Sequence, residues 1–317
     1  LNMTRAALIP YAIKGWELWN NTEKWLCGGV GTRKVNGLSL AFTEEEEELL
    51  FKRIEARQAM GAPIKFISGR KAQLLEPGLN DSVRSAAWCN KDGFTIAYLT
   101  GHAFRRALKQ ENVSVREYSK VNKIEIEKNY FKIIFENNEH LKAKRIVLAG
   151  GVWLEEMLNW LNVKIKIKCL INQLIITERM PPVMKTVLSI ANGLLSLKQF
   201  DNGTVLIGGG WQGIGDKKRG GVESIPENLI GNIRLACHVI PKLRYGRMIR
   251  VWLGLEAETA DALPIIGKIP GISNAYVIGS VHSGYASGPY MGWLLSQLIM
   301  EQEPEMPLFD PNRLINK

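Results

Sequence analysis

The chain has 317 residues, 46% of them apolar and 23% charged, with a net charge of +10. That size suits roughly two domains of about 100–200 residues, each with a real core. No apolar run approaches the ~18 residues of a bilayer span, so no transmembrane segment is expected. The opening stretch LNMTRAALIPYAIKGW lacks the apolar core and cleavage site of a signal peptide.

The positive charge comes in short groups, Lys164–Lys168, Lys217–Arg219 and Lys242–Arg250. Apart from the single Tyr245 in the last group, none carries aromatics for stacking bases, so no nucleic-acid partner is expected. An anionic cofactor, an acidic partner or a membrane headgroup layer suits this charge better. Cys27, Cys89, Cys169 and Cys237 stand far apart with no C-x-x-C pair, which argues against a metal site. Scattered single cysteines suit a reducing cytoplasm, the expected location, with peripheral attachment to the inner membrane left open.

The sequence opens on Leu1, with its first methionine at Met3. That reads as a chain whose true start lies elsewhere. Thr43 and Glu46 then form a T-x-x-E capping box, with a helix following on Leu49, Leu50, Ile54 and Met60 and ending at Gly61. The glutamates Glu44–Glu48 sit where the helix dipole favours them. Tyr98–Gln110 has helical spacing, and Ser114–Tyr118, Asn122–Glu127 and Phe131–Phe135 read as strands, with a turn at Asn137-Asn138. Ile146–Ala149, a Gly-Gly pair and a helix from Trp153 make a βα unit, which implies a parallel sheet.

Residues 164–223 look antiparallel, beginning with KIKIK as a strand with one wet face. Pro226 opens a helix whose apolar face carries Leu229, Ile230, Ile233, Cys237 and Ile240. A last strand, Ala275–Ser280, leads through a Gly/Ser loop to a helix near Pro289. Parallel and antiparallel pieces thus alternate, which predicts two interleaved domains.

Three glycine-bearing segments are candidate sites. Gly208, Gly210 and Gly213 have the G-x-G-x-x-G spacing of a dinucleotide fingerprint, with Glu227 near the distance of a ribose-binding acid. The fingerprint needs a helix straight after it, and IGDKKRGG cannot begin one, so a strand end with a glycine-rich turn is expected. The loop holding His282 precedes a helix whose free N–H groups favour a negatively charged ligand oxygen. Gly150 and Gly151 stand at a strand end of the parallel sheet, where ligands approach.

At these residues the sequence resembles the flavin-dependent D-amino-acid oxidase superfamily, in its glycine oxidase, sarcosine oxidase and amino-acid dehydrogenase branch. IVLAGGVWLEEML is similar to the family's adenosine-side segment, which implies FAD contacts from Ala149, Gly150, Gly151 and Trp153. REYSKVNKIE resembles its adenine-side strand, which points to Val121. RVWLGLEAETADALPIIGKIPGISNAYVIGSVHSGYASGP is similar to its C-terminal signature. There the resemblance implies flavin contacts from Gly279, Ser280, Ser283, Gly284, Tyr285, Ala286 and Ser287. His282 and Tyr285 are then the catalytic candidates, with His282 also a substrate ligand. Glu256 stands where glycine oxidases carry a carboxylate-gripping Arg, and an acid there favours a cationic amine.

The implied fold class is α/β plus α+β. A Rossmann-like FAD-binding domain (96–163 and 258–317) interleaves with an antiparallel substrate domain (1–95 and 164–257). The family begins with a strand–G-x-G-x-x-G–helix unit. Leu1 onwards resembles the segment next after that unit, so the unit itself is expected to be missing here. The implied function is FAD-dependent oxidation of a C–N bond in an amino acid or secondary amine, by hydride transfer to flavin N5 and then imine hydrolysis. The implied partners are that small substrate and an electron acceptor or partner subunit. The alternative is a truncated or non-catalytic subunit whose flavin site is completed by a partner or lost.

Overall fold

The computed structural model describes residues 1–217, 221–279 and 284–315. Its first elements are α1 (Ile9–Trp19), β1 (Arg33–Ala41), α2 (Glu44–Gln58), β2 (Ile64–Ser68), α3 (Gly69–Leu75) and β3 (Ser85–Phe94). Next come α4 (Ala97–Gln110), β4 (Val121–Ile126), β5 (Phe131–Phe135), β6 (His140–Ala143), β7 (Ile146–Leu148) and α5 (Leu154–Trp160). Then follow β8 (Lys168–Thr177), β9 (Val187–Ile190), β10 (Ser196–Gln199), β11 (Val205–Gly208), β12 (Ile214–Asp216) and β13 (Gly221–Glu223). The last are α6 (Pro226–Val239), β14 (Met248–Glu258), β15 (Ile265–Lys268), β16 (Ala275–Gly279) and α7 (Gly284–Ile299). Among the described residues, no helix is long and apolar enough to cross a membrane.

The chain divides into two compact units, each assembled from separate segments. The first comprises Leu1–Asn20, Val30–Thr100 and Ile171–Leu255, and the second Asn21–Gly29, Gly101–Leu170 and the residues from Glu256 on.

The first unit is built on an eight-stranded sheet in the order β14-β8-β11-β10-β9-β1-β3-β2. It is mixed rather than purely antiparallel, because β1 and β9 pair in parallel, Ser39 beside Ser189. These strands come from distant segments, so no hairpin forces them antiparallel. Leu38, Leu40, Leu188, Leu197 and Val205 are fully buried in a core shared with Ala236, Val239 and Ile240 from α6 and the residue after it. Leu229, Ile233 and Cys237 of the expected face pack against this core, while Ile230 is 49% exposed. The buried Asn232 of α6 donates to the Gly208 carbonyl at 3.1 Å, satisfying a strand-end acceptor.

The α2 helix starts as its sequence dictates. Thr43 Oγ1 accepts the Glu46 N–H at 3.2 Å, and Glu46 reaches back to accept from the Phe42 N–H at 2.9 Å. Two otherwise unpaired donors are satisfied reciprocally. Arg57, near the other end of α2, is buried and donates to the Thr4 carbonyl at 2.8 Å. Burial pulls its pKa down to about 10, which leaves it charged at neutral pH.

The second unit holds two three-stranded sheets, β15-β16-β7 and β4-β5-β6. Their shared core includes Ile124, Phe131, Ile146, Leu148, Leu154, Leu158 and Val277. Ser114–Tyr118 forms no strand. Val115 is 53% exposed and Tyr118 fully so, and a segment that buries neither face gains nothing from a ladder. In KIKIK, Ile165 and Ile167 are buried while the lysines face solvent, but ladder pairing begins only at Lys168.

Buried Glu76 ties the segment before β9 to the turn after α3. Its carboxylate accepts from the Lys185 N–H at 2.7 Å, the Thr186 N–H at 2.9 Å and the Thr186 hydroxyl at 2.8 Å. Glu76→Ala leaves these donors without an acceptor inside the protein. It should lower the stability of the first unit by about 3 kcal/mol in urea unfolding, whereas exposed Glu48→Ala should change it by less than about 0.5 kcal/mol.

Candidate functional site

The second unit brings two of the three glycine-bearing segments together. β7 and β16 are parallel neighbours, with Ile146 beside Ala275 and Leu148 beside Val277. Both strands therefore end on the same edge. β7 runs into Ala149-Gly150-Gly151, and β16 ends on Gly279. Carboxyl ends of parallel strands are where such sheets take their ligands.

The glycines have distinct physical roles. A Cβ on Gly279 would lie 2.6 Å from the Leu154 methyl Cδ1, and one on Gly150 would collide with the Met157 sulfur. Both glycines thus let α5 pack tightly under the strand ends. Gly151 has a φ of +55°, is exposed and has open space around its Cβ position. Its backbone is bare towards solvent, as close approach of a ligand requires. Trp153, 47% exposed, stands beside it.

α7 is described from Gly284, with Pro289 inside it. Gly284, Tyr285, Ala286 and Ser287 form its first turn, with Tyr285 49% exposed and Ser287 fully buried. The first N–H groups of a 16-residue helix carry the positive end of its dipole. Ser280, His282 and Ser283 lie outside the described residues. Val121 opens β4 on the other sheet of the unit, half-buried against the same core. Glu256 lies on β14 and is half-buried.

The third glycine segment belongs to the first unit. Among the described residues between Gly208 and Pro226 there is no helix. The chain runs into the β12–β13 hairpin, and the next helix starts only at Pro226. Gly209 has a φ of +135° and abuts the Leu194 carbonyl. A Cβ on Gly213 would stand 2.6 Å from the Glu223 carbonyl oxygen. An amide network pins the turn. Gln212 Oε1 accepts from the Ile171 N–H at 2.9 Å, and the Gln212 carbonyl accepts from Gln173 at 2.9 Å and Asn228 at 2.7 Å. These glycines serve backbone packing, and Glu227 sits in the first turn of α6.

Two features of the second unit have no local signal in the sequence. Lys166, Lys168, Glu258 and Thr259 border an open recess of about 380 Å³. The ADALP stretch is a clasp. Asp261 accepts from Arg313 Nε at 2.8 Å, the Leu263 N–H at 3.1 Å and the Thr259 hydroxyl at 3.0 Å. The acid and the arginine lie more than 50 positions apart, so only the fold joins them. Among the described residues, no cluster of His, Cys, Asp or Glu could hold a metal ion.

The chain belongs to the DAO family of FAD-dependent oxidoreductases, whose family model matches residues 2–298. An opine oxidase subunit of Rhizobium meliloti is 26% identical over 261 residues, 80% of this chain and 67% of that protein. Glycine oxidase of Geobacillus kaustophilus is 22% identical over 294 residues, 91% of this chain and 76% of that protein. The crystal structure of glycine oxidase from Geobacillus kaustophilus matches with a TM-score of 0.88 at 20% identity, covering 99% of this chain and 84% of that one. That likeness establishes the fold. FAD is thus the cofactor of the family. Bare glycine backbone at parallel strand ends and the N-terminus of α7 fit such an anionic dinucleotide.

Burial pushes the Asp261 carboxyl up, but Arg313, the Leu263 N–H and the Thr259 hydroxyl outweigh it and hold the pKa below the ordinary value. A depressed folded-state pKa stabilises above the unfolded carboxylate range, about 3.9, and that stability is lost as pH falls through the lower folded value. Asp261→Asn should therefore cost about 1 kcal/mol at neutral pH. Urea unfolding should show the difference from wild type closing as the pH falls below the folded value.

Proposed function

We propose that this chain oxidises the C–N bond of an amino acid or secondary amine with FAD. The family match over residues 2–298 carries this reading. The relatives named as a glycine oxidase and an opine oxidase subunit support its substrate class. Bound FAD supplies the hydride acceptor, at N5.

The chain's own residues divide the remaining work. Ala149, Gly150, Gly151, Trp153 and Val121 hold the adenosine side. By the family resemblance, Gly279, Ser280, Ser283 and Gly284–Ser287 would hold the flavin ring, where the N-terminal end of α7 would favour negative charge. His282 and Tyr285 would hydrogen-bond the substrate. Glu256 repels a carboxylate and attracts a cationic amine. An unprotonated amine can release hydride without an acid–base pair, and the resulting imine hydrolyses in water. The segments 96–163 and 258–317 form the flavin domain, and 1–95 and 164–257 the substrate domain. Four free cysteines favour a reducing compartment, so we place the protein in the cytoplasm.

A second reading is favoured by one observation, the relative named as a subunit. In it this chain works within a larger assembly, and a partner subunit completes its flavin site or passes on its electrons.

Mixing the purified chain with FAD and removing free flavin tests the first reading. A retained flavin spectrum that bleaches anaerobically with glycine, sarcosine or an opine is the expected result. A protein that stays colourless alone but retains flavin with a co-expressed subunit decides for the second. Glu256→Arg should shift the kcat/KM ratio towards carboxylate-bearing substrates by about tenfold or more, since the change replaces repulsion with attraction. An unchanged ratio removes Glu256 from the substrate's surroundings.

A further inference from the structure

The cationic group Lys242–Arg250 is unused by the flavin reading. It belongs to the first unit and lies in a stretch free of acids, since no Asp or Glu stands between Glu227 and Glu256. Pro241–Tyr245 forms a short 3-10 turn, and β14 follows from Met248. β14 is an edge of the eight-stranded sheet, hydrogen-bonded to β8. Just before it, the Arg247 carbonyl accepts the Glu178 N–H at 2.8 Å, and the Arg247 N–H donates to Glu178 Oε1 at 3.0 Å. Among the described residues no strand pairs with the other side of β14.

This edge is apolar where water reaches it. Tyr245 is 79% exposed, Met248 50%, Ile249 63% and Trp252 40%. Met248 and Trp252 share one strand face, and Ile249 lies on the other. The core is met only at Val251, so Ile249 overhangs it. Lys242, Arg244, Arg247 and Arg250 are exposed among these residues. Among the described residues none of the four is paired with a carboxylate, and Arg244 Nε donates to the Pro241 carbonyl at 2.9 Å. Glu178 is half-buried and accepts backbone, while Asp201, in the adjacent β10–β11 turn, is engaged by Arg33.

An exposed edge strand invites a second copy to pair with it. Here such pairing sets Arg247 and Arg250 against like charges, which is destabilising. A rigid protein surface meets one face of a strand, whereas apolar side chains project from both faces of this one. A lipid headgroup layer surrounds a protruding strand end and hydrogen-bonds its open backbone groups. Tyr and Trp settle at that boundary with the aliphatic side chains beneath, and the cations are drawn to anionic headgroups.

We propose that the edge from Lys242 to Trp252 docks this protein peripherally on an anionic lipid surface. Docking needs no flavin, so its failure leaves the oxidation reading untouched.

Sedimentation with vesicles tests it. The protein should bind equimolar phosphatidylglycerol–phosphatidylcholine vesicles at physiological salt and leave pure phosphatidylcholine unbound. Each cation near such a surface strengthens binding roughly fivefold. Arg247→Glu with Arg250→Glu should therefore weaken it by about 25-fold or more. Lys52→Glu with Lys71→Glu changes the net charge equally, on α2 and α3 at the far end of the sheet. That pair should weaken binding less than about threefold, because charges far from the surface are screened. Tyr245→Ser with Ile249→Ser keeps the charge and should weaken binding by about tenfold or more. Circular dichroism should be unchanged in all three variants, since the replaced side chains are exposed. A wild-type protein that does not bind the anionic vesicles overturns the proposal. Equal losses in the two charge-reversed variants overturn it too, because binding then follows the net charge of +10 and not this edge. So does full binding by the Tyr245→Ser, Ile249→Ser variant, whose apolar side chains then touched no lipid. Retention on immobilised polyglutamate without vesicle binding assigns the edge to an acidic polypeptide and overturns the lipid assignment.

Discussion

The parallel pairing of β7 with β16 is the constraint on which the second unit depends. Three residues of each strand meet, Ile146–Leu148 beside Ala275–Val277. Parallel neighbours cannot be joined by a tight turn. Here the connection contains β8 to β15, including a large part of the other unit. Closing so long a loop costs only slowly more entropy as the loop lengthens. What the pairing must secure is a buried seam. Ile146, Leu148, Ala275 and Val277 supply it, each under 10% exposed and packed with Leu154 and Leu158 of α5. Once the seam forms, the glycine turn after β7 and the entrance to α7 follow from the strand direction, because parallel strands end on the same edge. The site is thus a consequence of strand polarity more than of any one side chain.

Glycine does different work in the two units, and the difference is physical rather than numerical. Gly208, Gly210 and Gly213 match the spacing of a phosphate-binding turn. That turn binds phosphate only because a helix comes next and points its free N–H groups at the ligand. In the first unit a hairpin comes next instead, and the Gln212 network takes up the nearby backbone groups. Gly150 and Gly151 have no such motif, yet they stand at a parallel strand end, with one backbone held close to α5 and the other open. The same residue type is spent on packing in one place and exposed in another. Only the succeeding element tells the two apart.

Much of this was legible in the sequence because the signals are local. The Thr43/Glu46 box, the strand from Ile146, the Pro226 helix start and the missing helix after Gly213 each depend on a few adjacent residues. The long C-terminal signature carried the family. What stayed hidden depends on distance. The parallel β1–β9 pair, the Glu76 contacts with Lys185 and Thr186, and the Asp261–Arg313 clasp join residues that nothing in the local pattern connects. Most of the apolar face of α6 was legible as well: Leu229, Ile233, Cys237 and Ile240 pack on the core, and only Ile230 stays exposed. Ser114–Tyr118 has the composition of a strand and lacks the neighbour that makes one.

Glu76 and Arg57 carry charge in water yet are buried in the first unit, and their surroundings decide what each does. Glu76 has three donors converging on it, so burial strengthens an interaction that holds two segments together. Arg57 keeps one backbone acceptor and a pKa of about 10, enough to stay charged at neutral pH. Both are structural, because a satisfied buried charge has no reason to seek anything else.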